Sequence, residues 1–157
     1  VIPGLAFQGC SALETVILKD GVEKIWYQSF HKCISLTSVV IPGSVKFVNE
    51  AAFKHCPKLK LVVIEDGVQN IHPSAFDRGS MMTICCRSGS YAEQYAREHG
   101  SFHTTPQGDF IQHNMLTINA TVRHHTETTV TQRKCFFPNG SRSGIVKLVI
   151  IWRRRES

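Results

Sequence analysis

The residues with the widest choice of chemistry in this 157-residue chain are its six cysteines, which could form disulfides, ligate a metal or act as nucleophiles. Cys10, Cys33 and Cys56 follow one another at intervals of 23 residues. Zinc sites usually take short spacings such as C-x2-C, which the sequence lacks. Adjacent strands lie about 4.7 Å apart, so distance permits a disulfide, but equivalent side chains of stacked repeats point in parallel. The spacing therefore favours buried thiols over a disulfide or a metal site.

Cys85 and Cys86 are neighbours in the sequence, and neighbouring side chains face opposite sides of a strand. Cys85 takes the place of an inward-facing valine, so we expect Cys86 to face solvent. The pair lacks the C-x-x-C spacing of redox motifs, which makes a vicinal redox pair the weaker interpretation.

The eight histidines lack the partners that catalysis needs. No Ser or Cys motif accompanies His113, His124 and His125, and neither G-x-S-x-G nor H-E-x-x-H occurs. We interpret these three as solvated, and His31 and His55 as surface residues of turns. The sequence thus predicts no catalytic residue, no metal site and no cofactor, and a thiol or hydrolytic enzyme ranks last among the hypotheses.

The cysteine interval belongs to a repeat that organises most of the chain. Phe7, Phe30, Phe53 and Phe76 share one 23-residue register. A unit of this length cannot bury its own apolar face, so such units are stable only when neighbours stack. The sequence predicts a repeat solenoid with the four phenylalanine rings stacked inside it. A second apolar set keeps the same interval: Leu13, Leu36, Leu59 and Met82.

Each unit contains one short strand followed by a turn. The L-x-x-V-x-L spacing of Leu13, Val16 and Leu18 recurs in the next units, and alternate side chains of an extended segment face opposite ways. Val16 and Leu18 are therefore expected to face inward. The turns combine Gly with Asp or Pro, which tolerate or pre-set turn dihedrals, at Asp20-Gly21, Pro42-Gly43 and Asp66-Gly67.

The outward side of the strand ladder is the candidate binding face. Its row Ile17, Val40 and Val63 is apolar and is expected to be exposed, as a partner surface would be. The preference of β-branched residues for strands explains the same row without any partner, so both interpretations stand. The predicted binding-face residues are Thr15, Ile17, Lys19, Ser38, Val40, Leu61, Val63 and Glu65.

The repeat resembles a known family. Its pattern, Ala-Phe-x-x-Cys-x-x-Leu-x-x-Val-x-Ile-Pro-x-x-Val-x-x-Ile, is similar to the BspA-type leucine-rich repeat, and the resemblance covers residues 2 to about 105. Residues 89–100 are similar to the segment that often ends such arrays. The resemblance implies a leucine-rich-repeat solenoid with one short strand per repeat in a parallel sheet. It also implies a cell-surface or secreted protein with a role in adhesion or recognition.

A helix over about residues 91–99 is expected to cap the last repeat. Ser90 and Glu93 have capping-box spacing, and Gly100 is placed to end the helix. Its apolar face would cover the open end of the solenoid, so residues 1–107 are assigned to one solenoid fragment. Ile2 already occupies the position of Ile25, and we therefore expect upstream repeats of the same chain to be missing. The predicted face of the helix comprises Tyr91, Ala92, Tyr95 and Ala96.

Residues 108–157 form a basic, Thr-rich tail outside the repeat. They hold 8 basic against 3 acidic residues, whereas residues 1–107 hold 10 against 9, so the tail supplies most of the net charge of +6. We expect low order or a weak β-hairpin with its turn at Pro138-Asn139-Gly140. No apolar run is long enough to form a transmembrane span.

Two functions follow from these patterns. The first is a non-enzymatic interaction module that presents the strand face to a protein or glycan partner in adhesion or recognition. The second is binding of nucleic acid or an anionic surface through the tail. Nucleic acid is the less favoured partner because the repeats carry no basic excess. The tail contacts would be Arg133, Lys134, Arg153, Arg154 and Arg155.

Overall fold

The computed structural model describes residues 1–78, 81–99, 101–104 and 148–152, with 102–104 and 148–152 described by their backbone alone. The elements in chain order are β1 (Leu13–Leu18), β2 (Lys24–Ile25), β3 (Ser38–Ile41), β4 (Phe47–Val48), β5 (Leu61–Ile64), β6 (Asn70–Ile71), β7 (Thr83–Cys85), α1 (Tyr91–Glu98), β8 (Phe102–Thr104) and β9 (Leu148–Trp152). Within these residues, no helix is long and apolar enough to cross a membrane.

The strands form two sheets, one on each side of a shared core. The larger sheet has the order β8-β7-β5-β3-β1-β9, and its repeat strands pair in parallel. The tail strand β9 pairs antiparallel with the outer edge of β1. The smaller sheet, β2-β4-β6, is parallel throughout. This arrangement confirms the predicted parallel solenoid and its strand over the L-x-x-V-x-L segment.

Inward side chains of the larger sheet meet those of the smaller sheet in one core. Val16, Val39 and Val62 lie in register on β1, β3 and β5, and all three are fully buried. Ile25 and Val48 likewise lie in register on β2 and β4 and are fully buried. Apolar burial of this kind is the main favourable term in folding, so the inward positions of every repeat are committed to stability.

The predicted phenylalanine ladder is present. The ring centroids of Phe7, Phe30, Phe53 and Phe76 lie 5.0, 5.0 and 5.2 Å apart, with interplanar angles of 6°, 1° and 6°. Tyr95 of α1 closes the stack edge-on at 6.2 Å from Phe76. The helix therefore caps the solenoid by continuing its aromatic column.

Turn glycines allow adjacent repeats to approach closely. A Cβ on Gly43 would lie 2.0 Å from the carbonyl oxygen of Asp66, which is inside any permitted contact. Gly67 has φ +120°, in the region that favours glycine, and faces the carbonyl oxygen of Gly43. The two glycines are thus required by repeat-to-repeat packing as well as by turn shape.

The cap helix begins as predicted but differs in detail. The Ser90 side chain accepts a hydrogen bond from the Glu93 N–H at 3.3 Å, while Glu93 Oε2 accepts from Gly89 N instead of the Ser90 N–H of a standard capping box. Tyr91 is exposed and Glu93 is buried, so the predicted inward place of Tyr91 is wrong. Gly100 lies outside the described residues.

Phe53→Ala tests the ladder. Phe53 is buried between two stacked rings, so its truncation should lower the free energy of unfolding by about 3 to 5 kcal/mol, measured by denaturant titration. Phe47→Ala is the matched control, since Phe47 is partly exposed and outside the ladder, and should cost less than about 1 kcal/mol. Equal losses from the two variants would contradict a ladder that stabilises the core.

Candidate binding surface

The outward face of the larger sheet carries two rows of side chains in register. The first contains Thr15, Ser38 and Leu61, on β1, β3 and β5. The second contains Ile17, Val40 and Val63 on the same strands. The second row, together with Cys85, forms an apolar cluster separate from the main core, so the predicted outward direction of both rows is correct.

The expected exposure of the apolar row is wrong. Ile17, Val40 and Val63 retain only 4%, 1% and 0% of their accessible surface. The three side chains pack against one another in register, and Leu61 packs beside them. These three residues therefore form a packed apolar cluster on the outward face. They were expected to contact a partner directly, and their burial contradicts that expectation.

The row of Thr15, Ser38 and Leu61 is polar at Thr15 and Ser38 and only half-buried. Thr15 Oγ1 and Ser38 Oγ lie 3.1 Å apart and share a hydrogen bond across β1 and β3. Leu61 continues the row on β5. Lys19 is exposed beyond the end of β1. Glu65 is half-buried after β5, where its Oε2 accepts a hydrogen bond from Gly43 N at 3.2 Å. These polar and charged side chains are exposed or half-buried, so a partner can reach them.

The tail contacts of the alternative hypothesis, at positions 133, 134 and 153–155, lie outside the described residues.

The repeat geometry agrees with a comparison against known families. The family described as the BspA type leucine-rich repeat region matches residues 1–96, in six copies. The chain belongs to this family. Leucine-rich-repeat folds are generally non-enzymatic interaction scaffolds, and BspA-type members are typically extracellular or surface-associated. Neither a curated protein nor a solved structure matches the chain.

Two thiols of the leucine-rich repeats lie in the core as predicted. Cys33 and Cys56 are buried and form no disulfide. The Cys33 Sγ–H donates to the Phe7 carbonyl oxygen at 3.2 Å, and that of Cys56 donates to the Phe30 carbonyl oxygen at 3.3 Å. A hydrogen bond with the Cys56 sulfur, together with burial, raises the pKa of the Cys33 thiol. The raised pKa keeps Cys33 in its thiol form, which is a poor nucleophile, since the thiolate is the reactive form.

The predicted directions of Cys85 and Cys86 are reversed. Cys85 pairs in register with Val63 on the outward face, and Cys86 is fully buried in the main core. The cause is a change of interval, because Leu61 pairs with Thr83 at a spacing of 22 residues instead of 23. A shift of one residue moves each side chain to the other face of a strand. Burial raises the pKa of the Cys86 thiol.

The turns beside the phenylalanine ladder bring two histidines together. The His31 and His55 rings meet edge-on with centroids 5.1 Å apart, and His31 Nδ1 lies 3.2 Å from Gln8 Nε2. His31 is buried, so its predicted surface place is wrong, while His55 is exposed. His55 N donates to Asp77 Oδ2 at 2.9 Å. No cluster of three potential metal ligands occurs in the part of the chain that the structure describes.

Burial and the positively charged neighbours of His31 lower its pKa and so oppose its protonation. Burial lowers the pKa of His31 most, and the nearby His55, Lys32 and Lys54 lower it further, while Asp77 acts in the opposite direction. The folded state therefore binds a proton at His31 less readily than the unfolded chain, whose pKa is near 6.5.

His31→Gln tests this environment. Above pH 6.5 His31 is neutral in both states, so it adds no pH dependence; as pH falls below 6.5, protonation of the unfolded chain lowers the stability of the wild type. The fall in unfolding free energy from pH 7.5 to about 5, measured by urea titration, should be smaller in the variant. Asp77→Asn removes the opposing charge and should make the fall steeper than in the wild type. Identical pH profiles for all three proteins would contradict the assignment.

Proposed function

We propose that this leucine-rich repeat region is a non-enzymatic recognition module that binds a protein partner at the outward face of its larger sheet. The observation that supports it most is the hydrogen-bonded, half-buried pair Thr15 and Ser38, continued by Leu61. These side chains lie in one row across three parallel strands. An extended row of this kind suits an interface with a rigid surface, where little motion is lost on binding.

The packed cluster beside this row supports the same proposal. Ile17, Val40 and Val63 fill the outward face beside the polar row and fix the strands that carry it. The exposed charge of Lys19 and the carboxylate of Glu65 stand at the ends of the strands. Opposite charges at the rim of an interface contribute to orientation and specificity more than to affinity.

The proposed setting is the cell surface or the exterior, with adhesion or recognition as the role. It rests on the typically extracellular or surface-associated location of BspA-type members. The binding of nucleic acid or an anionic surface through the basic tail is the alternative that the test below distinguishes.

A photo-crosslinking residue at position 38 tests the face directly. The protein carrying the crosslinker is mixed with purified extracellular proteins from the organism's environment, which serve as the probe. A variant that carries the crosslinker at the exposed Gln94 of α1 is the control. The same partner protein should be crosslinked from position 38 and not from position 94. Crosslinking from position 94 alone would place the interface elsewhere.

The affinity of that partner for Ser38→Arg then measures the contribution of the face. A bulky cation in the middle of the row should weaken binding by about tenfold or more, whereas Gln94→Arg should leave it unchanged. Both variants are first compared with the wild type by circular dichroism, which reports whether they fold. Binding that falls steeply and linearly with the logarithm of salt concentration, and that ignores Ser38→Arg, would favour the tail.

A further inference from the structure

The edge of β1 carries a strand that does not belong to the repeat. The repeat strands β1, β3, β5 and β7 pair in parallel, whereas β9 pairs with β1 in the antiparallel direction. β9 comes from the tail, far along the chain from β1 and outside the 23-residue register. The β1 edge therefore accepts a strand that has neither the direction nor the spacing of a leucine-rich repeat.

The backbone groups of β1 that meet β9 can be assigned from the contact with the next repeat. The Glu14 carbonyl oxygen accepts a hydrogen bond from the Thr37 N–H at 2.8 Å, so it points toward β3. The peptide bonds of the described residues are trans, and in a trans peptide the following N–H points the opposite way. The N–H of Thr15 therefore faces β9. Alternation along the strand turns the N–H and C=O of Ile17 in the same direction.

Two residues of β9 are placed to bond with these groups. Ile151 is in register with Thr15, and Val149 is in register with Ile17. Antiparallel strands alternate between paired residues that exchange both backbone hydrogen bonds and paired residues that exchange none. Val149 and Ile151 belong to the first kind, because the backbone groups of their partners face β9. Ile150 lies between them and belongs to the second kind, so its N–H points away from β1.

The free edge of a strand is a template for another chain. Its backbone N–H and C=O groups can pair with any extended segment, and some domains bind peptides by adding a strand to a sheet in this way. The segment already seated on β1 indicates the kind of ligand. Residues 149–151 are Val, Ile and Ile, and such β-branched residues favour the extended conformation.

We propose that the β1 edge is a binding site for an extended apolar strand of a protein partner, and that β9 occupies it as a competitor within the same chain. β9 and a partner strand need the same backbone groups of Thr15 and Ile17, so only one of them binds at a time. Since β9 is an intramolecular ligand, its effective concentration is independent of protein concentration. The tail thus sets the affinity that a partner strand must exceed.

Proline substitutions in β9 test the pairing. Val149→Pro removes a backbone N–H that donates to β1 and should release the strand. Ile150→Pro is the matched control, because proline is tolerated in an edge strand where the N–H points away from the neighbouring strand. The amides of Thr15 and Ile17 are followed by hydrogen exchange with NMR detection. Both should be protected in the wild type and in Ile150→Pro, and should exchange faster by about tenfold or more in Val149→Pro.

A fluorescent peptide with the sequence of residues 146–154 then tests the vacated edge. Its anisotropy should rise saturably with the Val149→Pro protein, and its affinity should be about tenfold or more above that for the wild type, in which β9 holds the site. A second peptide with proline at the position of Val149 has the same charge and should not bind. The first peptide should also restore slow exchange at Thr15 and Ile17.

Four results would overturn the proposal. The two amides exchange at the same rate in all three proteins, or the first peptide fails to bind Val149→Pro, or it binds the wild type equally well, or the proline peptide binds as tightly. Loss of the repeat fold in Val149→Pro, measured by circular dichroism, would also overturn it, since β9 would then be a required part of the solenoid. Failure of the Ser38→Arg experiment would leave this site untouched, because the site uses the backbone edge of β1.

Discussion

The stack of phenylalanine rings is the interaction on which both sheets depend. Its centroid spacing of 5.0 to 5.2 Å is close to the roughly 4.8 Å between paired strands, so one translation satisfies ring stacking and backbone pairing together. The stack runs from Phe7 to Phe76 and ends on Tyr95 of the cap. The positions of outward residues, including Ser38 and Phe47, are set by strands that this column holds in register.

Residues whose environment is the same in every repeat could be predicted from the sequence. Phe53 and Val39 each occupy a position set by the 23-residue interval, so the solenoid, the ladder and the buried thiols of Cys33 and Cys56 all follow from periodicity. The outward direction of Val40 followed in the same way. Its burial did not, because strand alternation determines where a side chain points and burial depends on everything that packs around it.

The remaining errors arose where pairing departs from the sequence interval. Met82 keeps the 23-residue spacing, but β7 pairs with β5 at a spacing of 22, which exchanges the faces of Cys85 and Cys86. The contact between the Tyr27 ring and Gly4 was missed for a different reason. Gly4 and Tyr27 are one repeat apart, and only the folded register shows that the absence of a side chain at one makes room for the ring of the other.

Repeat stacking constrains the inward positions of the smaller sheet more strongly than its outward positions. Ile25, Val48 and Ile71 are alike because stacking requires the same apolar residue in each repeat. The outward row beside them changes at every step, from Lys24 to Phe47 to Asn70. Stacking does not require that variation, so the outward positions are free to match a ligand.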